Sequence, residues 1–393
     1  MMNNEIKPKS NLMLIWLLSY ISIASFSSAI ITPALPKIEA QYGLSNGSVE
    51  WVVSAFLIGY VIGQLIYGPM ANQFGRLKAL RIGLIINLVG CVFCLIALPT
   101  NLFWPLLLGR LITALGAAGG LACTFMLINE WLPESQRKTA LAYAVLSFAL
   151  SGLSVMLGGI ITEYWQWQGC FWFLTLHAMV MLVGTAAFSE TLKKAKPICV
   201  STIMHDYSLA LNSPKLITFS LIVGYCTAIC YCFSAAGPQI AEKILGISAA
   251  EYGYWNNLNI IGMLLGGVLA KKLLGCLPVL SVIVLGFIGV AVGVINLWLM
   301  WCFANQSTLW FFLISASLYL FSSLLFSGGS MVASNALEDK ASSAAMMSFV
   351  NMSSATLAVI LMGYLSRNSL LSFIYILSLL WFLLMVLLLW QRK

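Results

Sequence analysis

Polar side chains inside long apolar segments are the residues of this sequence that could do chemistry. Arg110 stands as a charge well inside such a segment, in the stretch GRLITALGAAGG. A cation at the centre of a lipid bilayer costs at least ~2.5–3.5 kcal/mol, so Arg110 must face a polar cavity or a partner. We expect its guanidinium to hold an anion or to bias a carboxylate in a water-accessible pathway. The alternative is an arginine that joins helices through backbone carbonyls.

A second set of candidates is uncharged and lies on segments that we expect to line the same pathway. Tyr60 and Gln64 are four residues apart and therefore share one helix face. Asn256 and Asn259 also share a face, and we favour this pair as solute contacts. For each residue, a hydrogen bond between helices, worth about 0.6 kcal/mol on average, is an equally good explanation. Together with Arg110, the pathway candidates are Thr113, Tyr60, Gln64, Asn256, Asn257, Asn259, Tyr225, Tyr231 and Asn351.

Acidic residues are missing from deep positions in the apolar segments. Those that come nearest are expected at or near the outer ends of the segments: Glu39, Glu50, Glu163, Glu242 and Glu251. Export of cationic compounds ordinarily uses a buried carboxylate, whose raised pKa lets it exchange a proton for the charge of the solute. Without that acid the charge of the pathway is positive, which favours an anionic or neutral solute.

Nothing in the sequence indicates an enzyme. His177 and His205 lack Cys or carboxylate partners at ligand spacing, and no GxSxG, HExxH or Walker motif is present. Most of the ten cysteines lie in apolar segments, where a cysteine is a small hydrophobic residue. We therefore expect no catalytic residue, no metal and no cofactor. Without an ATP-binding domain, uphill work must draw on the gradient of an ion or of the solute itself.

The composition is that of a membrane protein. The chain is 61% hydrophobic and 8% charged, whereas soluble domains are about 25% charged. A span needs about 20 apolar residues, and a helix satisfies its backbone amides within one span. We predict an all-α protein with twelve spans, near residues 12–34, 49–71, 81–99, 103–128, 140–162, 170–188, 215–237, 252–271, 278–301, 308–332, 342–364 and 369–390.

The cations predict the orientation in the membrane, because cytoplasmic loops carry an excess of Lys and Arg. With both termini cytoplasmic, sixteen of the twenty Lys and Arg fall in cytoplasmic loops and tails, and only Lys37, Lys243 and Arg367 fall in outer loops. The net charge of +8 is therefore a topology signal and does not indicate a nucleic-acid partner. We expect a multi-pass protein of the cell inner membrane.

The chain repeats itself at about half of its length. YGLSNGSVEW (42–51) is echoed by LGISAAEYGYW (245–255), and each segment opens a span with a tryptophan. An offset of about 200 residues with the same direction predicts two parallel six-helix halves, related by an axis along the membrane normal. The predicted domains are residues 1–190 and 215–393, joined by a cytoplasmic linker over residues 191–214.

The stretch GQLIYGPMANQFGRLKAL (63–80) joins two apolar segments through a small-residue turn and a basic loop. It resembles the signature loop between the second and third spans of the major facilitator superfamily. The resemblance is closest to the bicyclomycin-resistance-type drug/proton antiporters, and the PALP turn of the first span agrees with it. It implies a gating loop with Gly68, Asn72, Gly75 and Arg76, in which the two glycines allow a sharp backbone reversal and close helix contact.

The sequence departs from that family at two acidic positions. Asn72 stands where the family's loop has an aspartate, and Ala29 stands where its first span has one. The family's loop aspartate holds the inner face closed, so the uncharged Asn72 predicts a looser gate, with Arg76 bracing the loop against neighbouring acidic residues. The glycine–proline pair of the fifth-span antiporter motif is replaced by Ser154 and Val155.

The resemblance implies secondary active transport of a small organic solute across the inner membrane by alternating access. The resemblance favours efflux of a drug or metabolite coupled to protons, as in multidrug antiporters. The charge pattern favours instead the export or uptake of an anionic carboxylate metabolite or siderophore, and a non-transporting membrane receptor is a further alternative. The expected partners are the solute, the lipid bilayer and protons, and we expect a monomer.

Overall fold

The spans predicted from composition are helices in the computed structural model of the chain. It describes residues 11–44, 47–132, 151–192, 212–304, 306–337 and 340–390. Within these residues there is no β-strand, and eleven helical stretches are long and apolar enough to cross a membrane. The predicted all-α membrane fold is confirmed. The fifth predicted span, 140–162, lies partly outside the described residues, and its described part belongs to a helix over 151–165.

The helices follow the apolar runs of the sequence because backbone amides in lipid must pair within their own segment. The first span is interrupted by a 3-10 helix, Thr32–Ala34, which contains Pro33. In chain order the helices are α1 (Asn11–Ser19), α2 (Ser22–Ala29), α3 (Leu35–Tyr42), α4 (Trp51–Phe74), α5 (Arg76–Thr100), α6 (Trp104–Trp131), α7 (151–165), α8 (Gln168–Gly184), α9 (Pro214–Lys243), α10 (Ala249–Trp255), α11 (Asn257–Leu274), α12 (Val279–Cys302), α13 (Thr308–Ala333), α14 (Lys340–Leu365) and α15 (Ser369–Trp390).

Contacts within the chain divide the described residues into two compact units. The first unit takes its residues from 1–34 and 55–198, and the second from 35–54 and 199–393. Residues 35–54, which we call the end segment, contain α3 and the first turn of α4. The end segment therefore packs with the second unit, although the chain reaches it within the first predicted half.

Glycines set the closest helix contacts in each unit. In the first unit, a Cβ on Gly59 of α4 would lie 2.2 Å from the carbonyl oxygen of Leu111 in α6. In the second unit, a Cβ on Gly262 of α11 would lie 2.2 Å from the carbonyl oxygen of Ala316 in α13. Only the absence of a side chain allows backbones to approach so closely.

These glycine contacts recur at one offset along the chain. The pair Gly59 and Gly262 has the same separation as three further pairs that also make close contacts: Gly63 and Gly266, Gly83 and Gly286, and Gly90 and Gly293. The separation agrees with the repeat of about 200 residues in the sequence, as expected for parallel structural repeats. The repeat is therefore one of helix packing as well as of sequence.

Candidate functional site

Arg110 lies in the second turn of α6 and is fully buried, with 0% exposure. Its guanidinium donates hydrogen bonds to the backbone carbonyls of Ser27 and Ser28, the latter at 3.3 Å. These carbonyls lie in the last turn of α2, where backbone oxygens lack partners within the helix. The guanidinium carbon also lies 4.4 Å from the centre of the Phe56 ring in α4. Through these contacts Arg110 joins α6 to α2 and α4. This is the alternative that the sequence left open to a cation in the solute pathway.

Thr113 belongs to the same buried network. Its hydroxyl donates to the carbonyl of Gly109 at 2.7 Å, and its own carbonyl accepts a hydrogen bond of 2.8 Å from the Asn87 amide. The Asn87 amide also donates to the Ser27 hydroxyl at 3.3 Å. Asn87 lies in α5 and was missed by sequence reasoning, because no local motif marks it. The network ties α2, α5 and α6 together.

Tyr60 and Gln64 lie one turn apart on α4, following Phe56. The rings of Phe56 and Tyr60 stack with their centroids 6.1 Å apart. The Gln64 Oε1 atom is buried and has no hydrogen-bond partner among the described residues, and the same holds for the Tyr67 hydroxyl. In an apolar span, such atoms offer unused capacity for a polar ligand group.

The asparagines favoured as solute contacts join helices of the second unit. The Asn259 amide donates to Asn256 Oδ1 at 2.9 Å, and the Ser315 hydroxyl of α13 donates to Asn259 Oδ1 at 2.6 Å. Both asparagines are buried, at 1% and 7% exposure for Asn259 and Asn256. Asn257 is half-buried and donates to the carbonyl of Tyr254 at 2.9 Å. Asn259 therefore uses its side chain in a hydrogen bond between α11 and α13, which is the alternative to binding a solute.

The tyrosines of α9 and Asn351 of α14 differ in how they use their polar atoms. The buried Tyr225 hydroxyl donates to the carbonyl of Leu377 at 2.9 Å, which ties α9 to α15. Tyr231 is half-buried on the same helix. Asn351 is 9% exposed, and its Oδ1 atom has no hydrogen-bond partner in the described part of the chain. The Ser220 hydroxyl of α9, which sequence reasoning missed, is likewise buried and unpartnered there.

The loop between α4 and α5 turns sharply at Gly75, as the motif predicted. Gly75 has φ +114°, a conformation that glycine adopts without strain, and a Cβ there would lie 2.3 Å from a carboxylate oxygen of Glu190. Gly68 differs from the prediction, because it lies inside α4 with nothing within 4 Å of its Cβ position. The reason is that α4 continues through Pro69 and ends only at Phe74.

Glu190 binds the N-terminus of α5 beside this turn. Its carboxylate accepts hydrogen bonds from the backbone amides of Arg76, Leu77 and Lys78 at 2.9, 3.1 and 3.2 Å. Burial alone would raise the pKa of Glu190, but the amides of Leu192, Lys78, Arg76 and Thr191 outweigh burial and hold the pKa below its ordinary value. A carboxylate at a helix N-terminus is stabilised by the helix dipole.

Arg76 connects the turn to a second acidic residue. Its Nη2 atom lies 2.8 Å from Glu130 Oε1 of α6, and its Nη1 atom donates to the carbonyl of Ala71 at 3.0 Å. Asn72 follows Ala71 in the last turn of α4 and is partly exposed. Arg76 thus lies against an acidic neighbour, in the arrangement that the sequence predicted for the loop.

The sequence features of the loop and of the span around Arg110 lie within the part of the chain that matches a known family. Residues 17–231 match the Major Facilitator Superfamily. The chain belongs to this superfamily. The family predicted from the loop motif is confirmed, and secondary transport is the activity with which its members are associated.

Relatives of this superfamily member include drug-resistance proteins. A bicyclomycin resistance protein homolog of Haemophilus influenzae is 22% identical over 271 residues, which are 67% of each chain. The multidrug resistance protein MdtL of Shigella flexneri is 24% identical over 239 residues, 58% of this chain and 60% of MdtL. A crystal structure of the peptide transporter POT in complex with sulfate covers 98% of this chain and 96% of its own, with a TM-score of 0.80 at 13% identity. That likeness shows the shared fold.

The buried polar residues of this superfamily member fall into two groups. One group uses its polar atoms to join helices: Arg110, Thr113, Tyr225, Asn256 and Asn259. The other group keeps a polar atom without a partner among the described residues and includes Gln64, Tyr67, Ser220 and Asn351. Glu50 and Arg76 also keep a buried atom without a partner in the described part of the chain, but they are charged and lie beside the ends of α4 and α5. The uncharged Gln64, Tyr67, Ser220 and Asn351 lie inside helices and are the stronger candidates for contact with a solute.

Proposed function

We propose that the protein exports a small, largely uncharged drug or metabolite by alternating access, in exchange for protons. The observation that carries this proposal is the set of buried, uncharged polar atoms with unused hydrogen-bonding capacity, led by Gln64 Oε1 and Asn351 Oδ1. Sites for small organic molecules are mostly apolar and contain a few polar groups that orient the ligand. The drug-resistance names of two relatives support efflux as the direction.

The position of Arg110 favours an uncharged solute over an anion. The argument for a carboxylate or siderophore depended on a cation available to the solute. The Arg110 guanidinium is instead fully buried, donates to two backbone carbonyls and packs against Phe56. Releasing a buried cation from such partners is costly. A solute that needs no cation fits the described residues better.

The proposed function includes a location, a coupling ion and an oligomeric state. We place it in the cell inner membrane with both termini in the cytoplasm, because the Lys and Arg residues are concentrated in the loops of one side. Protons are the proposed coupling ion, and a monomer is the proposed functional unit. The protein has no proposed catalytic role. Among the described residues, no group of three or more His, Cys, Asp or Glu could hold a metal.

Flux measurements in sealed vesicles test this function. Purified protein is reconstituted and offered neutral, anionic and cationic compounds, with and without an imposed pH gradient. We expect gradient-driven flux of neutral compounds, with a loss of about fivefold in Gln64→Leu and in Asn351→Leu, since one solute hydrogen bond is worth about 1 kcal/mol. Asn296→Leu is the control, because the Asn296 amide donates to its own helix at the Val292 carbonyl, 2.8 Å away.

Three results would contradict the proposal. Flux of carboxylates that collapses in Arg110→Ala would support an anionic solute. Strong export of lipophilic cations would show that the pathway accepts a positively charged solute. Specific binding without flux in any direction would indicate a receptor.

A further inference from the structure

The end segment carries a carboxyl group into an enclosed position. Glu50 lies one residue before α4, and only 8% of it is exposed. Its Oε1 atom accepts a hydrogen bond of 3.3 Å from the Gln239 amide of α9. Its Oε2 atom is buried and has no hydrogen-bond partner among the described residues. A buried carboxylate oxygen without a donor is costly, whereas a protonated carboxyl carries no charge to solvate.

The charged groups around Glu50 leave it without a compensating cation. Lys243 of α9 binds Glu39 of α3, with Nζ 2.7 Å from Oε2, and also donates to Gln239 Oε1 at 3.3 Å. Glu39 and Lys243 are the charged groups that act on Glu50 within this cluster. Because Lys243 and Glu39 neutralise each other, ionisation of Glu50 adds an uncompensated negative charge to the cluster.

Uncharged groups complete the enclosure. From α14, Gly363 packs against Glu50: a Cβ on Gly363 would lie 3.6 Å from the Glu50 Cβ. From α15, the Ser369 hydroxyl donates to Gln239 Oε1 at 3.2 Å. The next residue along, Trp51, donates from its indole nitrogen to the Tyr364 hydroxyl at 2.9 Å. Glu50 therefore lies where the end segment meets α9, α14 and α15.

This environment favours the neutral carboxyl. Burial is the largest effect and raises the pKa of Glu50, the charge of Glu39 raises it further, and hydrogen bonds from the Glu50 backbone and Gln239 and the charge of Lys243 lower it by less. A carboxyl whose pKa is raised in the packed state binds more protons there than in the open state. The packing is then fully stabilised below the ordinary pKa and loses that stabilisation as the pH rises through the raised pKa.

We infer that Glu50 is a proton-binding site of the transport cycle, neutral while the end segment packs on the second unit and ionised when that packing opens. An O–H bond forms at Oε2 with a proton from hydronium, and water takes the proton back when the carboxyl becomes exposed. The site supplies a titratable acid in place of the one that is missing from the first span at Ala29. Its place in a transport cycle rests on the proposed function, but the titration itself does not.

Infrared difference spectroscopy tests the titration directly. The full chain in lipid nanodiscs is stepped between about pH 5 and about pH 8.5, a range in which an ordinary glutamate is mostly ionised. We expect the C=O band of a protonated carboxyl that persists near neutral pH and is lost in Glu50→Gln. Glu163→Gln, which removes an exposed carboxylate of α7, should keep the band. Gln239→Leu should keep the band to higher pH, because the mutation removes the Gln239 amide, whose hydrogen bond to Oε1 lowers the pKa of Glu50.

A distance measurement tests whether protonation controls the packing. Spin labels replace Ala40 of the end segment and Glu242 of α9, both exposed, after Cys199, Cys276 and Cys302 are changed to Ser. We expect one short distance at low pH and a longer population that grows as the pH rises. Glu50→Gln should keep the short distance at every pH, and Glu163→Gln should behave as the parent.

The outcomes separate this inference from the proposed function. If Glu50→Gln titrates like the parent in both measurements, Glu50 is not the proton site, even where vesicles show proton-driven flux. If the band and the distance change depend on Glu50 but no solute is moved, the proton site stands and the transport function fails. A spectral change without any distance change would overturn the link between protonation and packing.

Discussion

Backbone groups at helix ends bind the charged side chains that lie closest to the apolar spans. The Arg110 guanidinium binds carbonyls in the last turn of α2, and the Glu190 carboxylate binds amides in the first turn of α5. Both helix ends present backbone groups that lack partners within the helix. Glu50 differs, since its only side-chain donor in the described residues is the Gln239 amide. At the scale of single residues, Arg110 and Glu190 hold structure in place, whereas Glu50 is free to titrate.

The role of Glu190 predicts a pH-dependent stability. Because its pKa is lowered in the folded protein, its contribution is present above the ordinary pKa and is lost as the pH falls through the lowered value. We expect Glu190→Gln to lower the Tm in detergent by about 1–3 °C at about pH 7, since a carboxylate at a helix N-terminus contributes about 0.3–1 kcal/mol. Thermal unfolding measured over a series of pH values checks this.

The difference between the parent and Glu190→Gln should shrink as the pH falls below about 4, because the unfolded chain is protonated there and the folded chain becomes protonated at a still lower pH. Glu163→Gln, at an exposed position of α7, serves as the control and should match the parent throughout. A Glu190→Gln protein with an unchanged Tm at neutral pH would show that the carboxylate does not stabilise the turn.

Sequence motifs located the turn but not its partners. Gly75 and Arg76 were predicted from the loop motif, because the turn needs a positive φ and the cation follows it at once. Glu190 was not predicted, since it binds Arg76 across 114 residues of chain and no local pattern marks such a contact. Glu50 was expected near the end of a span, and its burial depends on α9, α14 and α15, which the sequence around it does not reveal.

Both units contain helices that pack closely at glycines. Gly262 and Gly267 lie on the same helix, α11, but in different surroundings. A Cβ on Gly262 would lie 2.2 Å from the carbonyl oxygen of Ala316, whereas nothing lies within 4 Å of the Cβ position of Gly267. The first glycine is required by contact with α13, and the second is not.

This contrast predicts opposite effects of the same substitution. Gly262→Ala should force α11 and α13 apart and lower the stability by about 1–3 kcal/mol, the usual cost of overpacking. Gly267→Ala should leave the Tm unchanged or raise it, because alanine is favoured over glycine in a helix by about 1 kcal/mol. Thermal stability of the two variants in one detergent checks the prediction. Equal Tm values would mean that the close contact at Gly262 does not hold the helices together.

Apolar runs predicted the helices well, and prolines caused the largest errors. The predicted span 308–332 agrees with the observed helix Thr308–Ala333. The first span was predicted to end near residue 34, yet the helical stretch runs over Met13–Tyr42. Pro33 and Pro36 indicate the end of a helix in the sequence, whereas in the structure a 3-10 helix and α3 accommodate them. Proline inside a span is tolerated when neighbouring groups satisfy the freed carbonyls.

The orientation of the whole molecule follows from the same helices and the loop charges. Helix α12 (Val279–Cys302) has 24 residues and is therefore about 36 Å long, which is enough to cross a hydrocarbon core of about 30 Å. Cys276 lies just before it, close to the cations Lys271 and Lys272, and Cys302 lies at its far end. Both thiols are exposed. In the proposed orientation Cys276 faces the cytoplasm and Cys302 faces the outside.

A membrane-impermeant maleimide distinguishes the two faces in the full-length protein. With Cys199 changed to Ser, intact cells should be labelled at Cys302, and inverted membrane vesicles at Cys276. Cys276→Ser and Cys302→Ser assign each signal, and the other cysteines in the described residues, none of which is exposed, should react slowly. The reverse pattern would place the termini outside, against the rule that cations concentrate on the cytoplasmic side. Labelling of both thiols from one side would mean that α12 does not cross the membrane, and the assignment of the spans after it would have to change.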